Sequence, residues 1–275
     1  MHDGSLIPVE IEGNGPAILL AVNPYPVTGE KAEEMIKWGV DPALGQTLIQ
    51  GLSDKYRVVA FDYEGHVLKF PKADTLTPDN VVQDFLAIAD AAGVDNFAYY
   101  GYSWLALSGL QLAIRTNRLL ALIMGGFPPI NGPYKEMLEV TKATYGLSNT
   151  NDISTNTPIE TEEFDWSSVE VQLTTDQTKQ FLTLYEQLQT FHDKEIQSEI
   201  TCPHLCFAGT ADKITYEERW GGVVVDIVGP LVKNRKELEL YGWDVKVLEG
   251  LDHTQAMQAE HVLPIIKPWL DAHIN

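Results

Sequence analysis

The chain of 275 residues has only two cysteines, Cys202 and Cys206. Both fall on one expected strand, so no disulfide framework is available to it. The neighbouring His204 finds no second Cys/His pair at ligand spacing, so no metal site is expected and both cysteines should fill core space. Long apolar runs are missing too: none approaches the ~20 residues that span a bilayer. The opening residues Met1-His2-Asp3-Gly4-Ser5 carry neither a basic segment nor an apolar one, and a cytoplasmic chain is expected. Basic residues are scarce, 19 Lys and Arg against 39 Asp and Glu, for a formal charge of −20. Such a surface repels phosphate backbones and anionic lipid heads, which argues against nucleic acid and membranes as partners. There is no internal repeat.

What is present is apolar content of 44%, enough for a large core. Short apolar runs recur along the chain. Pro16–Val22, Tyr56–Asp62, Asp95–Tyr100, Leu119–Gly126, His204–Ala208 and Trp243–Leu248 read as buried strands, with Ser5–Glu12 as an edge strand. Helical patterns lie between them. One covers Leu44–Leu52. Another begins at Thr77-Pro78-Asp79, with a threonine cap, a proline at the first position and an acid in the first turn, and stops at Gly93. Tyr63-Glu64-Gly65-His66 reads as a loop. A helical stretch over Tyr216–Leu240 should break near Gly229-Pro230, and a last helix from Thr254 should bend or break at Pro264 and Pro268. Strands alternating with helices predict an α/β fold with a mostly parallel, doubly wound sheet. Residues 131–199 interrupt the alternation with polar composition. A helix over Pro133–Tyr145, a polar loop over Ser148–Thr161 and a longer helix over Thr175–Ile196 are expected there. The division is therefore a core of residues 1–130 and 200–275 and a helical cap of 131–199. The cap should sit over the strand ends where open α/β sheets bind ligands.

The stretch around which the chain is organised is Phe97-Ala98-Tyr99-Tyr100-Gly101-Tyr102-Ser103-Trp104, followed by Leu107, Leu110, Ala113 and Ile114 at helical spacing. Strand changes to helix at Ser103. A serine on such a turn projects its hydroxyl from the sheet edge, with the first amides of the helix beside it. A serine that merely caps a βα helix has the same local pattern. Gly101-Tyr102-Ser103-Trp104 resembles the Gly-x-Ser-x-Gly nucleophile elbow of the α/β-hydrolase family, except that Leu105 stands where the family has glycine. Ala106 and Gly109 could supply the close helix–sheet approach instead.

A serine hydroxyl needs a base, and the base needs an acid to orient it. His253, in Gly250-Leu251-Asp252-His253-Thr254, follows the strand ending at Leu248 and opens at the same sheet end as Ser103. His66 is also at that end but precedes the serine. The other histidines fall on helices, a strand or the terminus. The resemblance implies the acid in Gly209-Thr210-Ala211-Asp212, where Gly209 and Asp212 match the family's Gly-x-x-Asp. It also implies two oxyanion donors: the Trp104 amide, and a second from the loop after Pro16–Val22. There Asn23-Pro24-Tyr25 stands where the family often has His-Gly-x, and Tyr25 alone has an N–H to give beside Pro24 and Pro26. Phe61-Asp62-Tyr63-Glu64-Gly65-His66 resembles the family's Asp-x-x-Gly-His loop and is taken as structural. Phe127, Trp166, Phe181 and Tyr185, with Trp104 and Tyr25, suggest an apolar substrate pocket. The expected activity is cofactor-free, metal-free cleavage of a small apolar carboxylic ester or lactone through an acyl-enzyme on Ser103. A lyase or carbon–carbon bond hydrolase on the same triad, or a low-turnover ligand receptor of this fold, are the alternatives.

Overall fold

The computed structural model describes residues 1–149 and 173–274. Its strands are β1 (Glu10–Glu12), β2 (Ala17–Leu20), β3 (Arg57–Ala60), β4 (Phe97–Tyr102), β5 (Leu119–Gly125), β6 (His204–Gly209), β7 (Lys213–Thr215), β8 (Val224–Asp226) and β9 (Trp243–Leu248). Seven of them form one sheet in the order β1-β3-β2-β4-β5-β6-β9. Only β1 runs antiparallel to its neighbour; the other pairings are parallel. Strand alternation explains why the sheet is covered on both sides. Ile18, Leu20, Val58, Tyr100, Ile123 and Phe207 point to one face, while Leu19, Val59, Tyr99, Leu122, Met124 and Cys206 point to the other. With apolar residues on both faces, neither can be left in water.

The helices are α1 (Glu30–Lys37), α2 (Leu44–Leu52), α3 (Tyr63–Lys69), α4 (Pro78–Ala91), α5 (Trp104–Ala113), α6 (Tyr134–Asn149), α7 (Thr175–Gln187), α8 (Val228–Lys233), α9 (Arg235–Leu240), α10 (His253–Ala256) and α11 (Ala259–His273). Leu48, Ile49 and Leu52 of α2 and Val262, Ile266 and Leu270 of α11 cover the first face. Val81, Phe85 and Ile88 of α4 and Leu107 and Leu110 of α5 cover the second. Thr77 caps α4 as expected, its hydroxyl accepting from the Asn80 amide at 3.2 Å.

Five expectations are corrected. Residues 63–69 are a helix rather than a loop, started by Asp62, whose Oδ1 accepts from the Gly65 amide at 2.9 Å. The helix from Thr175 ends at Gln187, not Ile196. Beyond it the buried Asp193 carboxylate accepts from the Gly132 amide at 2.8 Å and ties the returning chain to residue 132. Residues 216–226 hold no α-helix, only a single 3-10 turn at Glu218–Trp220: β7 pairs antiparallel with β8, and Gly221 and Gly222, at φ 100° and 60°, make a turn that an α-helix cannot contain. Pro230 does not break the following segment. It sits in the first turn of α8, where its missing N–H forfeits no bond, and the junction falls at Asn234 instead. Finally, Pro264 and Pro268 do not break the last helix: α11 continues through both.

Helices α6 and α7 pack on each other. Helix α7 is also fastened to residues 68–73: Gln177 Nε2 donates to the Leu68 carbonyl at 2.6 Å, Thr183 Oγ1 to the Ala73 carbonyl at 2.6 Å, and Gln180 Oε1 accepts from the Lys72 amide at 3.0 Å. Most of the expected 148–161 loop, and Trp166, lie outside the described residues.

Candidate functional site

Ser103 joins β4 to α5 with φ 57° and ψ −130°. A side-chain-bearing residue in that region is uncommon and is held there by its surroundings. Here the Ser103 amide donates to the Gly125 carbonyl at 2.8 Å, anchoring the turn to the end of β5. Gly101 is needed for the turn to close: a Cβ there would lie 2.4 Å from the Leu105 carbonyl oxygen. Tyr99 OH donates to that same oxygen at 2.8 Å. Leu105 is buried in the core. The close approach of α5 to the sheet falls one turn later, at Gly109, where a Cβ would meet the Tyr99 ring at 2.6 Å.

The loops after β6 and β9 are bound to each other. Thr210 N donates to Leu248 O at 2.9 Å and Ala211 N to Leu251 O at 3.0 Å. Gly209 permits it, since a Cβ there would come within 2.0 Å of Leu251 O. This places the fully buried Asp212 against His253. His253 Nδ1 lies 2.9 Å from both Asp212 carboxylate oxygens and donates to them. His253 opens α10 behind a capping box made by Asp252 and Gln255.

Two residues that the sequence reading did not single out hold the imidazole against the turn that leads into Ser103. Tyr102, immediately before Ser103, donates from its hydroxyl to the His253 carbonyl at 2.7 Å, and its ring centroid is 5.0 Å from the imidazole. Gly126, at φ 63°, leaves room for the ring: a Cβ there would lie 2.9 Å from His253 Cε1. The Gly125-Gly126 pair was visible in the sequence, and its place at a strand end was the available signal. Among the described residues no hydrogen bond joins Ser103 Oγ to His253 Nε2. Such bonds are often long in ligand-free sites and tighten when substrate arrives.

The Trp104 amide is the first of α5, where an N–H has no acceptor within the helix. The Tyr25 amide is not free: it donates to Asn23 Oδ1 at 3.0 Å, closing an Asx turn, while Tyr25 OH donates to Glu10 Oε2 at 3.2 Å. The proline-stiffened loop therefore holds this donor in place but engages it. The aromatic candidates divide. Phe181 meets the Trp104 ring edge-on at 5.4 Å. Phe127 and Tyr185 are only 3% and 2% exposed, so they are core residues rather than open pocket lining. Glu64, at the start of α3, was passed over. It is solvent-exposed, yet burial pushes its carboxyl pKa up, with the Trp104 indole N–H opposing that rise. Among the described residues no group of three or more His, Cys, Asp or Glu could hold a metal ion, and no helix is long and apolar enough to cross a membrane.

No family model matches the chain. Strigolactone esterase D14 of Arabidopsis thaliana is 34% identical over 99 residues, so the match spans 34% of this chain and 36% of that protein. A carboxylesterase structure from the thaumarchaeon Nitrososphaera gargenis is similar with a TM-score of 0.61 at 16% identity, over 97% of this chain and 94% of that one. MenH from S. aureus is similar with a TM-score of 0.61 at 16% identity, over 97% and 99% of the two chains. With its mostly parallel seven-stranded sheet and flanking helices, the chain has the α/β-hydrolase fold.

Proposed function

We propose that this chain is a serine hydrolase that cleaves a carboxylic ester or lactone through an acyl-enzyme on Ser103. The observation that carries the reading is the buried Asp212–His253 pair, with Nδ1 held at 2.9 Å from both carboxylate oxygens and its imidazole 5.0 Å from the ring of Tyr102, which precedes Ser103 on its φ 57° turn. With Nδ1–H committed to Asp212, the imidazole is left with a basic Nε2. Ser103 Oγ attacks the substrate carbonyl carbon as Nε2 takes its proton. The tetrahedral oxyanion is met by the Trp104 amide, and by the Tyr25 amide once Asn23 Oδ1 gives it up. Collapse expels the alkoxide, which takes the proton from His253. Water, deprotonated by the same nitrogen, then attacks the acyl carbon and frees Ser103. Helices α6 and α7 act as a cap over this end of the sheet, with Phe181 and Trp104 shaping the apolar wall. The partial match to an esterase and the carboxylesterase of the same fold agree with this class of reaction.

The engagement of the Tyr25 amide by Asn23 favours one second reading, a ligand-binding protein that turns over little. Hydrolysis of p-nitrophenyl butyrate and of a γ-lactone separates the two. The hydrolase turns over at least one of them, and Ser103→Ala abolishes it. Turnover that survives Ser103→Ala, or none at all in the wild type, contradicts the hydrolase.

A further inference from the structure

The nucleophile and base of the chemistry above sit on distant parts of the chain, and one side chain joins their backbones. Tyr102 ends β4 and is peptide-bonded to Ser103. Its hydroxyl donates at 2.7 Å to the carbonyl of His253, 151 residues further on. The ring is closely held. A Cβ at Gly125 would lie 2.5 Å from its Cδ2, and one at Gly126 would lie 2.7 Å from its Cε1 and Cζ. The Phe207 ring is 6.1 Å away and the imidazole 5.0 Å. A ring packed this tightly leaves its hydroxyl little choice of partner. Burial, and then the Asp212 carboxylate, hold the Tyr102 pKa well above its ordinary value of 10, so the hydroxyl keeps its proton and donates. The acceptor is in need of the bond. Helix α10 is four residues long, so no residue within it lies four places beyond His253 to bond that carbonyl. A single turn is not stable by itself. This one is fastened by its capping box at one end and by Tyr102 from the sheet.

We propose that Tyr102 is a positioning residue whose hydroxyl, through the His253 carbonyl, sets the base relative to the nucleophile that Tyr102 itself precedes. The inference rests on the hydrolase reading and adds a residue to it. Asp212 orients the imidazole from the Nδ1 side, but it belongs to the loop after β6 and has no covalent tie to Ser103. Tyr102 has that tie. A shift of the turn between β4 and α5 carries the hydroxyl with it and, through the bond, the backbone of His253, so the two reacting groups keep their spacing. A misplacement of about 1 Å can cost a reaction about a hundredfold. Phenylalanine would fill the same space against Gly125, Gly126 and Phe207, but it would take this donor from the His253 carbonyl. The hydroxyl, not the ring, carries the role.

The test measures kcat and KM for p-nitrophenyl butyrate in wild type, in Tyr102→Phe and in a variant carrying p-aminophenylalanine at position 102, which keeps a donor at the end of the ring. Circular dichroism first shows each protein folded at the assay temperature. Tyr102→Phe should lower kcat about tenfold and leave KM within about twofold of wild type. Fluorophosphonate labelling of Ser103 should slow by a similar factor, and p-aminophenylalanine should recover most of the lost kcat. In Tyr102→Phe the low-field proton resonance of His253 Nδ1–H should broaden, as the loosened ring exchanges that proton faster with water. A bond that served stability alone would lower the thermal midpoint by about 2–4 °C and leave kcat and that resonance unchanged. A kcat for Tyr102→Phe within about twofold of wild type therefore overturns the positioning role. A loss that p-aminophenylalanine does not recover overturns it too, and so does a Tyr102→Phe chain that cannot fold, since the bond would then serve the fold rather than the chemistry. If wild type still hydrolyses the ester in a Ser103-dependent way, the hydrolase reading stands without it. If wild type neither hydrolyses the ester nor labels at Ser103, both fall together.

Discussion

At the scale of single residues, the proposed chemistry depends on which nitrogen of His253 carries the proton. Two carboxylate oxygens at 2.9 Å favour the Nδ1–H tautomer, and Tyr102 fixes the backbone that carries the ring. An amide in place of the Asp212 carboxylate can present its NH2 to the ring and favour the opposite tautomer. Asp212→Asn should therefore lower kcat by about 10⁴ with little change in KM. Steady-state kinetics on an activated ester measure this, and an unchanged kcat would move the orienting acid to another residue. The Tyr25 amide shows how a side chain alters the reading of a backbone donor. The two flanking prolines leave Tyr25 as the sole donor of its tripeptide, but only coordinates reveal that Asn23 Oδ1 has taken it.

At the scale of elements, the elbow shows why a motif is read better as packing than as letters. Leu105 departs from the family glycine, yet it is buried in the core, and the close approach to β4 is made at Gly109. Restoring the motif with Leu105→Gly should therefore destabilise the fold by about 2–5 kcal/mol through the cavity left behind, with a further ~1 kcal/mol from glycine in a helix. Urea unfolding of the two proteins measures it; an equal or higher midpoint for the variant would show that Leu105 is strained. The same contrast governs what could be read from the sequence. Runs such as Leu119–Gly125 and Trp243–Leu248 were legible because apolar residues buried on both faces have few other uses. The order of Ser103, Asp212 and His253 was legible because each follows a strand. Helix α3 was not, since its start depends on Asp62 folding back onto the Gly65 amide. Helix α1 was not, since none of its residues is buried. The β7–β8 pair was hidden because its Val-Val-Val run sits inside a segment whose overall pattern suits a helix equally well. Tyr102 and Glu64 lie on the motif loops themselves, but their partners come from distant parts of the chain.

At the scale of the whole molecule, a buried polar network fastens the start of the chain to the core. Ser5 Oγ lies 3.0 Å from His66 Nε2, Asp3 pairs with Lys72, and His2 Nδ1 meets the fully buried Asp84 at 3.0 Å. Burial, and then the Lys72 ammonium, hold the His66 pKa below its ordinary value of 6.5. The unfolded chain therefore binds more protons than the native one just below that value. Stability linked to His66 is fully present above about pH 6.5 and is lost as pH falls through the native pKa. The stability of wild type relative to His66→Gln should thus decline between about pH 7.5 and pH 5.5 in thermal unfolding, and a flat difference would contradict the assignment. Taking the difference cancels the general effect of neutralising an acidic surface as pH drops. The central claim, that this fold brings a reactive serine under the control of a distant imidazole, is tested most directly by a fluorophosphonate probe with mass-spectrometric location of the adduct. The account predicts one adduct, on Ser103, in the wild type, with labelling greatly slowed in His253→Ala although that variant remains folded. An unlabelled Ser103, or labelling at the same rate without His253, would contradict it.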